Sequence, residues 1–290
     1  MVGGGRMWPL DWNCESCGYA APIQDGIPLT APALADTADG FDPADFVFLA
    51  DAELWHFWFA ARRALIVGLA GVYAPSAGRF IEIGCGSGNV IRALASARNW
   101  TRIVGTDIHP TCLLLARDRL PAAVELLQAD ARCLPFRHAF DLAGAFDVLE
   151  HVAEDETVIA RIRDALIHRG VFIATVPQHP SLWSVADEVG HHMRRYRNGE
   201  LEAKLRANGF EISFSTSYAA SLLPLMAVNR VLARRSPRHV ALRTIARQEF
   251  HVGPRLNRLL GLVLSVETLL TRRGVRWPVG GSRVVVARKR

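Results

Sequence analysis

Three glycines at alternate positions, Gly84, Gly86 and Gly88, close a short apolar run, Phe80-Ile81-Glu82-Ile83, and stand directly before an amphipathic stretch from Asn89 to Leu94. This pattern predicts a strand, a tight turn and a helix start. Glycine removes Cβ atoms where a ligand must approach the backbone, and amides at a helix amino end favour the carboxylate-bearing end of a cofactor. A second run, Ile103 to Thr106, ends in Asp107, where an open α/β sheet sets a carboxylate against ribose hydroxyls. The loop lacks the G-x-G-x-x-G spacing used by NAD-binding turns.

Further along, the segment from Val176 to Tyr196 is polar, aromatic and rich in histidine, with His179, His191, His192, the Arg194-Arg195 pair and Tyr196. It reads as a substrate loop, the alternative being that Arg194, Arg195 and Tyr196 cap the next helix and pair with acids. Neutral imidazole takes a proton near pH 7, so His151 and His192 are candidate bases, with Tyr196 grouped beside them as a catalytic candidate. Each histidine also has a structural reading as a hydrogen-bonded core residue.

Strands alternating with helices must position these groups. Periodicity predicts strands over 79–84, 102–107, 123–128, 141–149, 171–176 and 210–217, and helices over 88–97, 110–119, 155–168 and 199–208. The fold class is therefore α/β, a doubly wound, mostly parallel sheet with its site at the strand carboxyl ends. Upstream, Asp51 to Ile66 predicts one helix with an aromatic cluster. Before the final strand-like run at Ser282 lie about 65 residues with apolar helical patterns over 219–232 and 256–270, flanked by arginines. Such an insertion can be a lid over the acceptor, a packing layer, a dimer surface or an in-plane membrane helix.

Glu82, Gly84, Gly86 and Gly88 match E-x-G-x-G-x-G position by position. With Gln128 to Ala131, Ala145 to His151 and Gly170 to Pro177, they make roughly residues 79–216 resemble the class I S-adenosylmethionine (SAM) dependent methyltransferases. The resemblance implies a Rossmann-like sheet and a cofactor site of Glu82, Gly84, Gly86, Gly88, Asp107, Ile108, Asp130, Ala131 and Phe146. Phe57-Trp58-Phe59-x-x-Arg62 resembles the family's cofactor-covering helix. Asp147-x-x-Glu150-His151 resembles the E-x-x-E-H pattern of quinone-ring O-methyltransferases, which implies magnesium, although Asp147 stands where that pattern has glutamate. Cys14-x-x-Cys17 and Asp25-Gly26-Ile27-Pro28 resemble a short leader found in some bacterial methyltransferases. The two thiolates offer half a tetrahedral zinc site, the alternative being a vestigial turn. The expected division is a leader over 1–40, zinc-ribbon-like if metal binds, and a SAM-binding domain over 41–290 that includes a helical insertion at 217–280.

A chain of 290 residues, half of them hydrophobic, can fill one large core plus a small appendage. Five cysteines without an extracellular context argue against a disulfide framework. The amino terminus has no apolar h-region and no long apolar run offers a membrane span, so the expected address is cytoplasmic, with peripheral contact at the inner membrane face through 217–280. Residues 230–290 hold 15 Lys or Arg against two acids, while the rest holds 19 against 26. A basic end of this kind suits an anionic partner or a merely solvated face.

The expected function is methyl transfer from SAM to an oxygen of a small-molecule or lipid-linked acceptor; no Asn-Pro-Pro-Tyr pattern appears, which argues against nucleic-acid and protein-amide acceptors. One alternative is an RNA methyltransferase using the basic end, disfavoured because aromatics interleave poorly there. Another is a SAM-binding scaffold without turnover. A homodimer through the insertion is also open.

Overall fold

The computed structural model describes residues 20–35, 43–226, 228 and 252–290. Cys14 and Cys17 lie outside the described residues, as do 227 and 229–232 of the predicted helix over 219–232. A two-stranded hairpin, β1 (Ile23–Gln24) and β2 (Ile27–Pro28), comes first. It is stitched to the main sheet: the amide of Thr30 donates to the Gln128 carbonyl at 2.9 Å, and the Gln128 side chain bonds both the amide and the carbonyl of Ala31.

After a short turn of helix, α1 (Pro32–Ala35), the aromatic segment forms two helices rather than one, α2 (Pro43–Trp55) and α3 (Phe57–Tyr73). The break has a local cause. His56 is extended at φ −75°, ψ 131°, and its Nδ1 accepts the Trp58 amide at 3.3 Å, so the side chain caps a new helix where the first ends.

The strands then alternate with helices: β3 (Arg79–Ile83), α4 (Asn89–Ala97), β4 (Arg102–Asp107), α5 (Pro110–Arg117), β5 (Val124–Gln128), β6 (Phe140–Phe146), α6 (Asp155–Ala165), β7 (Leu166–Pro177), α7 (Val185–Val189), α8 (Glu200–Ala207) and β8 (Phe210–Tyr218). Helix α9 (Pro254–Arg272) and β9 (Ser282–Lys289) complete it. Among the described residues the sheet has seven strands in the order β5-β4-β3-β6-β7-β9-β8, parallel except for β9, which runs antiparallel to both neighbours. Leu65, Leu69 and Leu264 fill one face of the sheet; Val158, Ile162 and Leu205 fill the other. Burial on both faces explains why these strands read as continuous apolar runs.

Two boundaries differ from the periodicity. Strand β6 stops at Phe146 because Asp147 takes a left-handed φ of 57°, and a 3₁₀ turn, Leu149–His151, follows. Helix α6 stops at Ala165 because Leu166 already pairs with Phe140 in the sheet.

The described part of the insertion is anchored firmly. Buried Glu267 on α9 accepts the amides of Ala220 and Ser221 at 3.0 and 2.9 Å, and Asn257 accepts the Phe57 amide while donating to the Trp55 carbonyl, both at 3.0 Å. Helix α9 thus holds the α2–α3 junction and the end of β8 together. Its other face exposes Leu259, Leu262, Val266 and Leu269, with Arg255 and Arg258 among them. No helix among the described residues is long and apolar enough to cross a membrane.

Candidate active site

A cavity of roughly 1230 Å³ opens at the carboxyl ends of β3, β4 and β6. That exceeds the range of about 300–1,000 Å³ usual for a single small ligand, so two molecules can share it. One end is built from the glycine turn. Gly84 has φ +66°, and a Cβ there would overlap Val148; Gly86 has φ +53° and would meet nothing within 4 Å, so its bare face borders open space. The Gly86 amide donates to one Asp107 oxygen at 2.9 Å and the His109 amide to the other at 2.9 Å. Asp107 therefore shapes the turn while lining the cavity beside Ile108, Asp130 and Ala131.

The cover comes from α2 and α3. Ser87 of the glycine turn donates to Glu53 of α2, and Arg63 donates to Asn89 at 2.7 Å, tying the cover to the start of α4. Burial raises the Glu53 carboxyl above its ordinary range. Arg62 sits buried with its guanidinium 4.9 Å from the Trp58 ring centre and 5.7 Å from that of Phe59, and is ion-paired with Asp147. That left-handed Asp147 is fixed further by Thr175, whose hydroxyl donates to it at 3.2 Å.

The other end gathers Glu150, His151 and His192, with Leu222, Met226, Leu256 and Leu260 as an apolar wall. His151 and His192 meet edge-on at 4.7 Å between ring centres. Burial lowers the His151 imidazole to about 3, so it stays neutral across the physiological range. His192 Nδ1 lies 2.8 Å from Asp187 Oδ1, and the same carboxylate accepts from Arg195 at 2.8 Å. These contacts pull Asp187 down to about 2 and keep it ionised.

Four residues from the sequence reading stand outside the cavity wall. Glu82 is buried behind the turn, where its carboxyl meets the Ile91 amide in the first helical turn of α4; burial raises it well above its ordinary range. Gly88 is a packing position, since a Cβ there would lie 2.7 Å from Leu120. Phe146 belongs to the core and lies against Gly144. Tyr196 corrects the reading most: it is fully buried, and its hydroxyl donates to Asp155 at 2.6 Å beside Lys204. It braces the far side of the sheet and does not reach the reacting space. Asp187 was missed, although Ser184 three positions earlier forms a capping box with it, a spacing visible in the sequence.

His56 supplies a pH test. Burial lowers it from an ordinary 6.5 to about 4. Between those values the unfolded chain holds a proton that the folded chain does not, so stability is fully present above pH 6.5 and fades as pH falls toward 4. The expected loss is at most about 3 kcal/mol. Replacing it by asparagine, which keeps a capping oxygen, should flatten this slope in urea unfolding compared at pH 7.5 and pH 5, and an unaltered slope would remove His56 as its source.

Residues 81–174 match the family described as "Methyltransferase domain". Over 111 residues the chain is 37% identical to a trans-aconitate 2-methyltransferase of Variovorax paradoxus, covering 38% of this chain and 43% of that protein. Over 137 residues it is 30% identical to one of Azoarcus sp., covering 47% and 51%. The chain thus spans about half the length of these curated relatives. Among solved structures, the phosphoethanolamine N-methyltransferase 2 of Haemonchus contortus in complex with S-adenosyl-L-methionine superposes with a TM-score of 0.58 at 16% identity, over 91% of this chain and 61% of that one. At that identity the likeness is one of fold.

Proposed function

From the premise that this chain carries a methyltransferase domain of the class I, SAM-dependent kind, we propose that it moves a methyl group from S-adenosylmethionine to an oxygen of a small-molecule or lipid-linked acceptor. The observation that carries this reading is the single cavity joining the glycine turn and Asp107 at one end to Glu150, His151 and His192 at the other. The residues present fit the cofactor: the bare face of Gly86 borders the cavity, and Asp107 offers a carboxylate at the end of β4. When bound, S-adenosylmethionine supplies an electrophilic methyl on a sulfonium sulfur.

The chain's own contribution is chiefly alignment and exclusion of water. In-line displacement gains most from holding nucleophile and methyl together in a dry site. Helices α2 and α3 close over the turn, Arg62 fixes Asp147 beneath them, and the wall of Leu222, Met226, Leu256 and Leu260 dries the acceptor end. Glu150, His151 and His192 line the end of the cavity where an acceptor hydroxyl would sit.

The acceptor named for the curated relatives, trans-aconitate, is a small polycarboxylate. The wall here suits an acceptor with a hydrocarbon portion, and the exposed apolar stripe of α9 with Arg255 and Arg258 supports peripheral contact with an anionic membrane surface through 217–280. The test uses SAM labelled in its methyl group with four acceptor panels: quinols, hydroxylated lipids in anionic vesicles, small carboxylic acids, and bulk RNA. Label in an alkali-stable ether of a quinol or lipid is expected. Tight SAM binding with no transfer to any oxygen acceptor would overturn the reading in favour of a scaffold, and label in RNA would favour the basic-end alternative.

A further inference from the structure

Glu150 is fully buried, and among the described residues neither carboxylate oxygen has a hydrogen-bond partner. Leaving a carboxylate in that condition costs several kcal/mol unless a cation or a proton relieves it. Glu150 does not stand alone. One ligand atom each from Glu150, His151 and His192 lie within 4.8 Å of one another. Ligand atoms around one tetrahedral zinc ion, at bonds of about 2.0–2.2 Å, stand roughly 3.4 Å apart, so side-chain rotation that closes the group by about 1.4 Å gathers all three.

The surroundings of the two imidazoles point the same way. His192 gives Nδ1 to Asp187, which is itself held by the Ser184 amide at 2.7 Å and by Arg195 at 2.8 Å; this leaves Nε2 as the donor atom. His151 bonds the backbone of Gly190, which makes its other ring nitrogen an acceptor. Gly190 permits the crowding, since a Cβ there would lie 3.3 Å from the His192 ring. Carboxylate and carbonyl partners on the outer nitrogens are how metal-binding histidines are oriented. Asp147 pairs with Arg62 and Thr175 and is not in the three-residue group, so the group assembled here differs from the Asp147-x-x-Glu150-His151 pattern that implied magnesium.

We propose that Glu150, His151 and His192 bind one divalent transition-metal ion, zinc by the nitrogen-rich character of the donors, at the acceptor end of the cavity. Two imidazoles and a carboxylate suit zinc rather than magnesium, which keeps to oxygen ligands. Three protein ligands leave a coordination position facing the space where an acceptor oxygen would lie. The binding claim stands apart from the methyl-transfer reading and is tested without turnover.

The experiment is calorimetric titration of the chelator-stripped full chain with zinc, in a Cys14→Ser, Cys17→Ser background so that thiolates contribute nothing. Cobalt is titrated in parallel and read by visible absorption. One ion per chain with sub-micromolar affinity is expected, weakened about 100-fold or more in Glu150→Gln and in His192→Ala, and about 10–100-fold in Asp187→Asn, which leaves all three ligands in place. Circular dichroism and the unfolding midpoint report whether each variant is folded. No binding at millimolar zinc in the double-serine background would overturn the proposal, as would binding that folded Glu150→Gln and His192→Ala retain unchanged.

Discussion

Asp107→Ala is expected to weaken binding of SAM, and of its demethylated product, by about 100-fold or more in calorimetric titration. Each charge-assisted hydrogen bond to a ribose hydroxyl is worth about 1.5–3 kcal/mol, and loss of two such bonds passes 100-fold. A second effect adds to the first. The same carboxylate accepts the Gly86 and His109 amides at 2.9 Å each, so alanine also loosens the turn that the cofactor must fit. Asp107→Asn keeps the shape and one acceptor oxygen, and its affinity should fall between those of the wild type and the alanine variant. Unchanged affinity in Asp107→Ala would take the residue out of the site.

The largest stability loss is expected at Arg62. Its guanidinium is buried against Trp58 and Phe59, pairs with Asp147, and lies close enough to Glu53 and Glu82 to lower both carboxyls against the rise that burial imposes. Arg62→Met leaves Asp147 without its cation and removes a favourable charge from Glu82 and Glu53. Removing one partner of a buried pair costs about 3–5 kcal/mol, to be read from urea unfolding. Combining it with Asp147→Asn should return part of that loss, because the second change removes the stranded charge; residues in direct contact couple by about 0.5–3 kcal/mol. Losses that simply add would mean that the pair is energetically independent.

The parts of this molecule that were legible in the sequence are those whose causes are local. A strand closing on alternating glycines and a second strand ending in Asp107 state their geometry within a few residues, and alternating runs gave the sheet before any contact was known. Tyr196 shows the limit. Its partner Asp155 lies 41 positions away on another helix, and nothing in the local pattern separates a tyrosine at an acceptor mouth from one bracing the core. Glu82 sits where the resemblance puts it, but its contact is with the start of α4. The role of α9 was unreadable for the same reason, since the bonds from Asn257 to Phe57 and to Trp55 cross 200 and 202 positions. The break at His56 turned on a single capping side chain within an otherwise helical aromatic run.

Asn257 has a consequence for the order of events in a catalytic cycle. The helix that walls the acceptor end also grips the junction of the two helices that cover the glycine turn. A shift of α9 that admits or discharges an acceptor must therefore strain or release the cofactor cover as well. On the proposed function, cofactor and acceptor are then expected to bind with coupled affinities, because the wall that holds one is tied to the cover that holds the other.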